Sequence, residues 1–109
     1  MPVPEKPNVV YILTDQWRAK ATGYNGDPNV VTPNIDRLAT ECLDFVNAIS
    51  TSPVCTPARA ALLTGRFPTT TGVFMNDIPL SPDESGIGKV FKSGGYETAY
   101  IGKWHVDGH

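Results

Sequence analysis

A cysteine and an arginine stand one helical turn apart in the run Cys55-Thr56-Pro57-Ala58-Arg59, which continues as Ala60-Ala61-Leu62-Leu63-Thr64-Gly65. Thr56 can cap a helix, Pro57 suits the first helical position, Ala58 to Leu63 are good or acceptable helix formers, and Gly65 is placed to end the helix. Cys55 is therefore expected just ahead of a helix N-terminus, where unpaired backbone N–H groups and the macrodipole favour an anion. Arg59, about one turn on, can fold its guanidinium back towards the same point. A potential nucleophile, a helix end and a cation converge on one small volume suited to an anionic group. A second chemical pair, Asp15-Gln16, offers oxygen donors suited to a hard divalent cation.

The elements that must position these residues can be read from the pattern. Asn8 to Thr14 is apolar on both alternations, as in a strand buried on both faces of a parallel sheet, and it places Asp15 and Gln16 at its C-terminal end. Residues 21 to 31 read as a loop. Thr32-Pro33 opens a helix whose apolar stripe is Ile35, Leu38, Ala39 and Cys42. Asp44 to Ile49 predicts a second, shorter strand. Residues 66 to 82 read as an extended loop. Ser81-Pro82-Asp83-Glu84 has the form of a capping box, and a start near Ser85 or Gly86 fits equally well. Either start gives a helix with Ile87, Val90 and Phe91 as its buried face, stopped by Gly94-Gly95. Thr98 to Ile101 predicts a third strand, delivering Lys103 and His105 at its end. Strands alternating with helices imply an α/β fold with a mainly parallel sheet and flanking helices.

Composition sets the bounds. A chain of 109 residues accommodates one small domain, and its net charge of −2 carries no basic patch for a nucleic-acid backbone. No apolar run has the length of a membrane span, so neither nucleic acid nor membrane is an expected partner. Met1-Pro2-Val3-Pro4-Glu5-Lys6 lacks the regions of a secretory signal, which reads as cytoplasmic; a cropped precursor of a periplasmic or secreted protein would read the same way. Two widely spaced cysteines, Cys42 and Cys55, make no metal motif, and Cys42 is expected as a buried, inert thiol.

Pro53 to Gly65 matches, without a break, the signature of the type I, formylglycine-dependent sulfatases. Gly95-Tyr96-Glu97-Thr98-Ala99-Tyr100-Ile101-Gly102-Lys103-Trp104-His105 resembles that family's other signature. Pro7 to Gln16 is similar to its first strand and metal-binding end, and Thr32 to Ala39 to its first helix. The resemblance implies an alkaline-phosphatase-like sulfatase fold, with residues 1–109 forming only the N-terminal part of the catalytic domain.

It also implies roles. Cys55 is oxidised to Cα-formylglycine (3-oxoalanine), whose hydrate attacks sulfur with one hydroxyl and expels sulfate when the other is deprotonated. Arg59 steadies that residue, Lys103 binds the sulfate, and His105 hydrogen-bonds the formylglycine and assists proton movement. Asp15, Gln16 and the converted Cys55 hold calcium or another divalent cation; many relatives have a second aspartate where this chain has Gln16. The implied partners are a small-molecule or saccharide sulfate ester and a sulfatase-maturing enzyme. Trp104 is expected to pack, and Asp107 and His109 receive no role.

Blander readings stand beside these: Cys55 as a small core residue, Asp15 as a strand-end cap, Arg59 as a solvated helix-face side chain, Lys103 as an exposed lysine. The motifs together outweigh them. Two alternative functions are a phosphate or phosphonate monoester hydrolase of the same fold, and a non-catalytic metal- or anion-binding fragment. The isolated chain is expected to be inactive, because it supplies few metal donors and no acid for the leaving group.

One prediction follows from the motif itself. In a host carrying a sulfatase-maturing enzyme, which reads such motifs in the extended chain before folding, peptide mass spectra should show thiol-to-aldehyde conversion at Cys55 and not at Cys42. An unconverted Cys55 in a competent host would contradict the assignment.

Overall fold

Proline at the first helical position opens two of the four helices in the computed structural model, which describes residues 5–108. The N-terminal Met1 to Pro4 and His109 lie outside the described residues. The backbone forms two compact units, Met1–Phe45 and Val46–His109.

In the first unit, helix α1 (Pro33–Glu41) begins where Thr32-Pro33 predicts, because the N–H that proline lacks would be unpaired in a first turn anyway. The Thr32 side chain does not cap the helix in the usual way. Its hydroxyl accepts the Gly23 N–H at 2.7 Å and donates to Asp36 Oδ1 at 2.7 Å, while Tyr24 N–H donates to the same carboxylate oxygen at 2.9 Å. The preceding loop is thereby stitched to the helix. Gly23 runs so close that a Cβ there would sit 2.5 Å from Asp36 Oδ2. Further along the loop, Trp17 Nε1 donates to the Ala21 carbonyl and Asn25 Nδ2 to the Ala19 carbonyl and the Thr22 hydroxyl. The expected apolar stripe of α1 is not buried: Ile35 and Ala39 are half-covered, whereas Leu38 and Cys42 are exposed. The inert, buried Cys42 of the sequence reading is thus corrected to an exposed thiol at the helix's C-cap.

The second unit holds a small core of Ala60, Val73 and Val106, with Leu63, Ile78 and Leu80 packed against it. Helix α2 (Cys55–Thr64) packs on a four-residue helix α3 (Pro68–Thr71) and on α4 (Ile87–Ser93). α2 starts earlier than expected. Val54 is its cap position, so Cys55 lies inside the first turn and Thr56 is not the N-cap. Gly65 ends it as predicted, with φ 69° and its N–H on the Ala61 carbonyl at 2.8 Å. α3 interrupts the stretch expected to be loop; Pro68 opens it and Gly72 closes it. α4 takes the later of the two predicted starts, capped at Gly86, because Glu84 is engaged elsewhere: its carboxylate receives Arg66 Nη1 at 2.7 and 2.8 Å. Its expected buried face is corrected too, since Ile87 and Val90 are exposed and Phe91 is half-covered, edge-on to Tyr96 at 5.1 Å. Leu80 N–H donates to the Val106 carbonyl at 2.9 Å and ties the C-terminal segment to the core.

The expected sheet is absent among the described residues: the runs at 8–14, 44–49 and 98–101 form no strand. A strand is held by ladder hydrogen bonds to a neighbour, and none of these runs has one here. Their apolar side chains are correspondingly exposed, Val10 at 81%, Ile49 at 90% and Ile101 at 96%. Among the described residues no helix is long and apolar enough to cross a membrane.

Gly65→Ala tests the terminus of α2. Space is open around a Cβ there, so the cost is purely that of the left-handed backbone, about 1–2 kcal/mol. Urea unfolding beside the wild type should show a lower midpoint with an unchanged slope.

Candidate active site

The first turn of α2 presents Cys55 half-buried, with Thr56 and Pro57 buried behind it. Pro57 brings no N–H to that turn. Thr56 N–H donates to Asn76 Oδ1 at 3.0 Å, which leaves the N–H of Cys55 as the turn's remaining donor without a partner among the described residues. Asn76 thus caps the helix from twenty residues away. Asparagine is among the best capping residues, but the signal is readable in sequence only when it lies next to the helix. Asp77 beside it takes φ 65°, a left-handed conformation that Asp tolerates better than most residues. The Thr56 hydroxyl, having lost the capping role, is buried without a hydrogen-bond partner among the described residues.

Arg59 is 9% exposed, which removes the solvated-arginine reading. Its guanidinium is directed to the C-terminal signature stretch: Nη1 donates to the Lys103 carbonyl at 2.7 Å and lies 3.4 Å from the Tyr100 hydroxyl. The Tyr100 hydroxyl donates to that same carbonyl. Arg59 takes part in neither ion pair found among the described residues, Arg18–Asp27 and Arg66–Glu84. Oxygen dipoles therefore hold the guanidinium while its positive charge stays available to an anion.

Gly102 at φ 111° and His105 at φ 54° bracket the Lys103–His105 segment with two sharp turns. Lys103 is exposed and His105 half-buried, with Nδ1 buried and unpartnered among the described residues. Such an orphaned ring nitrogen calls for a further polar group. Trp104 is 43% exposed and meets Tyr100 edge-to-face at 4.9 Å. Through Arg59 the structure brings the Cys55 helix to the segment carrying Lys103 and His105. Tyr100 and Asn76, which sequence reasoning missed, make that junction.

Asp15 and Gln16 belong to the first unit and are exposed, with Gln16 N–H donating to Asp15 Oδ1 at 2.8 Å. Carboxylate and amide oxygens match a hard cation in kind, but calcium takes about six to eight oxygens. No group of three or more His, Cys, Asp or Glu that could hold a metal ion occurs among the described residues.

The chain belongs to the sulfatase family: the Sulfatase family model matches residues 7–109. It is 61% identical over 106 residues to the ulvan-active sulfatase of Formosa agariphila, covering 97% of this chain and 21% of that protein. It is 44% identical to YidJ, an uncharacterized sulfatase of Escherichia coli, covering 96% of this chain and 21% of that one. With human steryl-sulfatase it shares 38% identity, at 93% and 19% coverage. A crystal structure of a Bacteroides fragilis protein designated sulfatase yidJ superposes with a TM-score of 0.87 at 41% identity, covering 97% of this chain and 25% of that one. The chain spans about a fifth of the length of the curated relatives it matches.

Asn76→Ala should remove the remote cap of α2 and cost about 1 kcal/mol. Comparing its urea midpoint with that of the wild type checks this; an unchanged midpoint would mean that Asn76 does not cap the helix.

Proposed function

We propose that this chain is the N-terminal part of a formylglycine-dependent sulfatase's catalytic domain, and that the full-length parent hydrolyses a sulfate monoester to an alcohol and sulfate. The observation that carries the reading is the Arg59–Lys103 junction, which places the cysteine motif and the second signature segment of the family on one side-chain bridge. Cys55, converted to formylglycine, supplies the nucleophilic oxygen. A calcium ion held in part by the oxygens of Asp15 and Gln16 would, when bound, neutralise charge on the sulfuryl group.

The remaining work falls to the chain's own groups. The N-terminus of α2 and the buried Arg59 present positive potential beside residue 55, which favours an anionic ester there. Lys103 adds a mobile point charge for the sulfuryl oxygens. His105 has a ring nitrogen with no partner among the described residues, which suits it to accept a hydrogen bond from the converted residue or pass a proton. Asp15 and Gln16 offer too few oxygens to complete a calcium shell, so the 109-residue chain alone is not a working sulfatase. The rest of the parent is the proposed source of the missing donors and of the acid that protonates the leaving group. The fold of that parent is proposed to be the mainly parallel, alkaline-phosphatase-like sheet with flanking helices. A sulfated saccharide is the favoured substrate, supported by 61% identity to a protein named as ulvan-active.

The test uses the full-length parent made together with a maturing enzyme, and measures sulfate release from ulvan and an aryl sulfate beside phosphate release from an aryl phosphate. Sulfate release should exceed phosphate release, and Lys103→Ala should lower kcat/KM more than about tenfold, or 1.4 kcal/mol of transition-state stabilisation. A parent that prefers the phosphate ester, or a Lys103→Ala variant within about threefold of wild type, would overturn the reading.

A further inference from the structure

Tyr100 has no role in the reading above, yet its side chain makes two of the attachments of the Lys103–His105 segment. Its hydroxyl has one proton to give, and gives it to the Lys103 carbonyl. Its lone pairs face Arg59 Nη1 at 3.4 Å, while Arg59 itself donates to the Lys103 carbonyl at 2.7 Å. Three groups thus close a triangle of hydrogen bonds with a buried guanidinium at one corner. The ring meets Trp104 edge-on at 4.9 Å, which fixes where the hydroxyl can point.

The segment so held needs holding. It enters through Gly102 and leaves through His105, both at positive φ, and a histidine in that conformation is strained unless its neighbours determine it. Its far end is secured at Val106, which is 2% exposed and whose carbonyl accepts the Leu80 N–H. At its near end the Lys103 carbonyl and the Trp104 ring are the fixed points, and Tyr100 touches both.

We infer that Tyr100 is a positioning residue: its hydroxyl sets the Lys103 carbonyl, and with it Arg59, so that Lys103 and His105 face the first turn of α2 in a fixed register. The inference rests on the sulfatase reading for its catalytic consequence, but its structural part stands without it. Because the hydroxyl meets the segment's backbone and not the substrate, its loss should act on turnover more than on substrate capture.

Tyr100→Phe is the discriminating change, since it removes the hydroxyl and keeps the ring on Trp104. In the full-length parent, with formylglycine content matched to wild type by peptide mass spectrometry, kcat for an aryl sulfate should fall roughly tenfold with KM within about twofold. Amide hydrogen exchange over residues 101–106 should quicken, while that of α4 stays as in wild type. Unchanged kcat and unchanged exchange would overturn the inference, as would slower turnover with equally faster exchange in α4, the mark of a general loss of stability. A parent that cleaves no sulfate ester but still shows faster exchange confined to 101–106 in the variant would sink the sulfatase reading and support the positioning role of Tyr100.

Discussion

A single backbone carbonyl, that of Lys103, is where the second unit's two chemical segments are joined. It accepts hydrogen bonds from a buried guanidinium and from a phenol, and a charge-assisted bond of this kind is roughly twice as strong as a neutral one. The bond also solves a problem for Arg59, whose charge is removed from water and would be costly if left unmet. A carboxylate partner would have met it equally well but would have cancelled its field. Using dipoles instead leaves the cation uncancelled, and makes the geometry of α2 and of the Lys103–His105 segment interdependent.

Much of this was legible in local sequence signals and little of it in tertiary ones. Pro33, Gly65 and Gly94 mark helix limits through the intrinsic chemistry of starts and stops, and the structure respects all three. The start of α2 was misplaced because capping by Thr56 is the local solution, whereas the chain uses Asn76, which no spacing rule connects to it. The burial of Arg59 and the role of Tyr100 were likewise invisible, since both depend on a contact spanning more than forty residues. The family motifs mark the candidate residues; they do not contain the bonds that hold them.

The apolar runs at 8–14, 44–49 and 98–101 show the opposite disparity. Their composition reads clearly as buried strand, yet among the described residues they remain unpaired and exposed. Strand formation is a property of pairs, and a sequence pattern specifies only one member. The superposition on a longer sulfatase structure, of which this chain covers 25%, is consistent with runs whose pattern anticipates neighbours. The three-residue core of the second unit makes the same point, because so small a core leaves helices such as α4 with exposed apolar faces.

The close approach of Gly23 to Asp36 has a bearing on how this chain can drift over generations. A β-carbon at position 23 would displace a carboxylate that already serves Thr32 and Tyr24, so the two positions cannot vary independently. An alanine at 23 would have to swing the Asp36 carboxylate aside, and would loosen the loop's attachment to α1 on the way. The loop between Asp15-Gln16 and α1 is in this sense held by a missing side chain, since its attachment through Asp36 depends on residue 23 having no β-carbon.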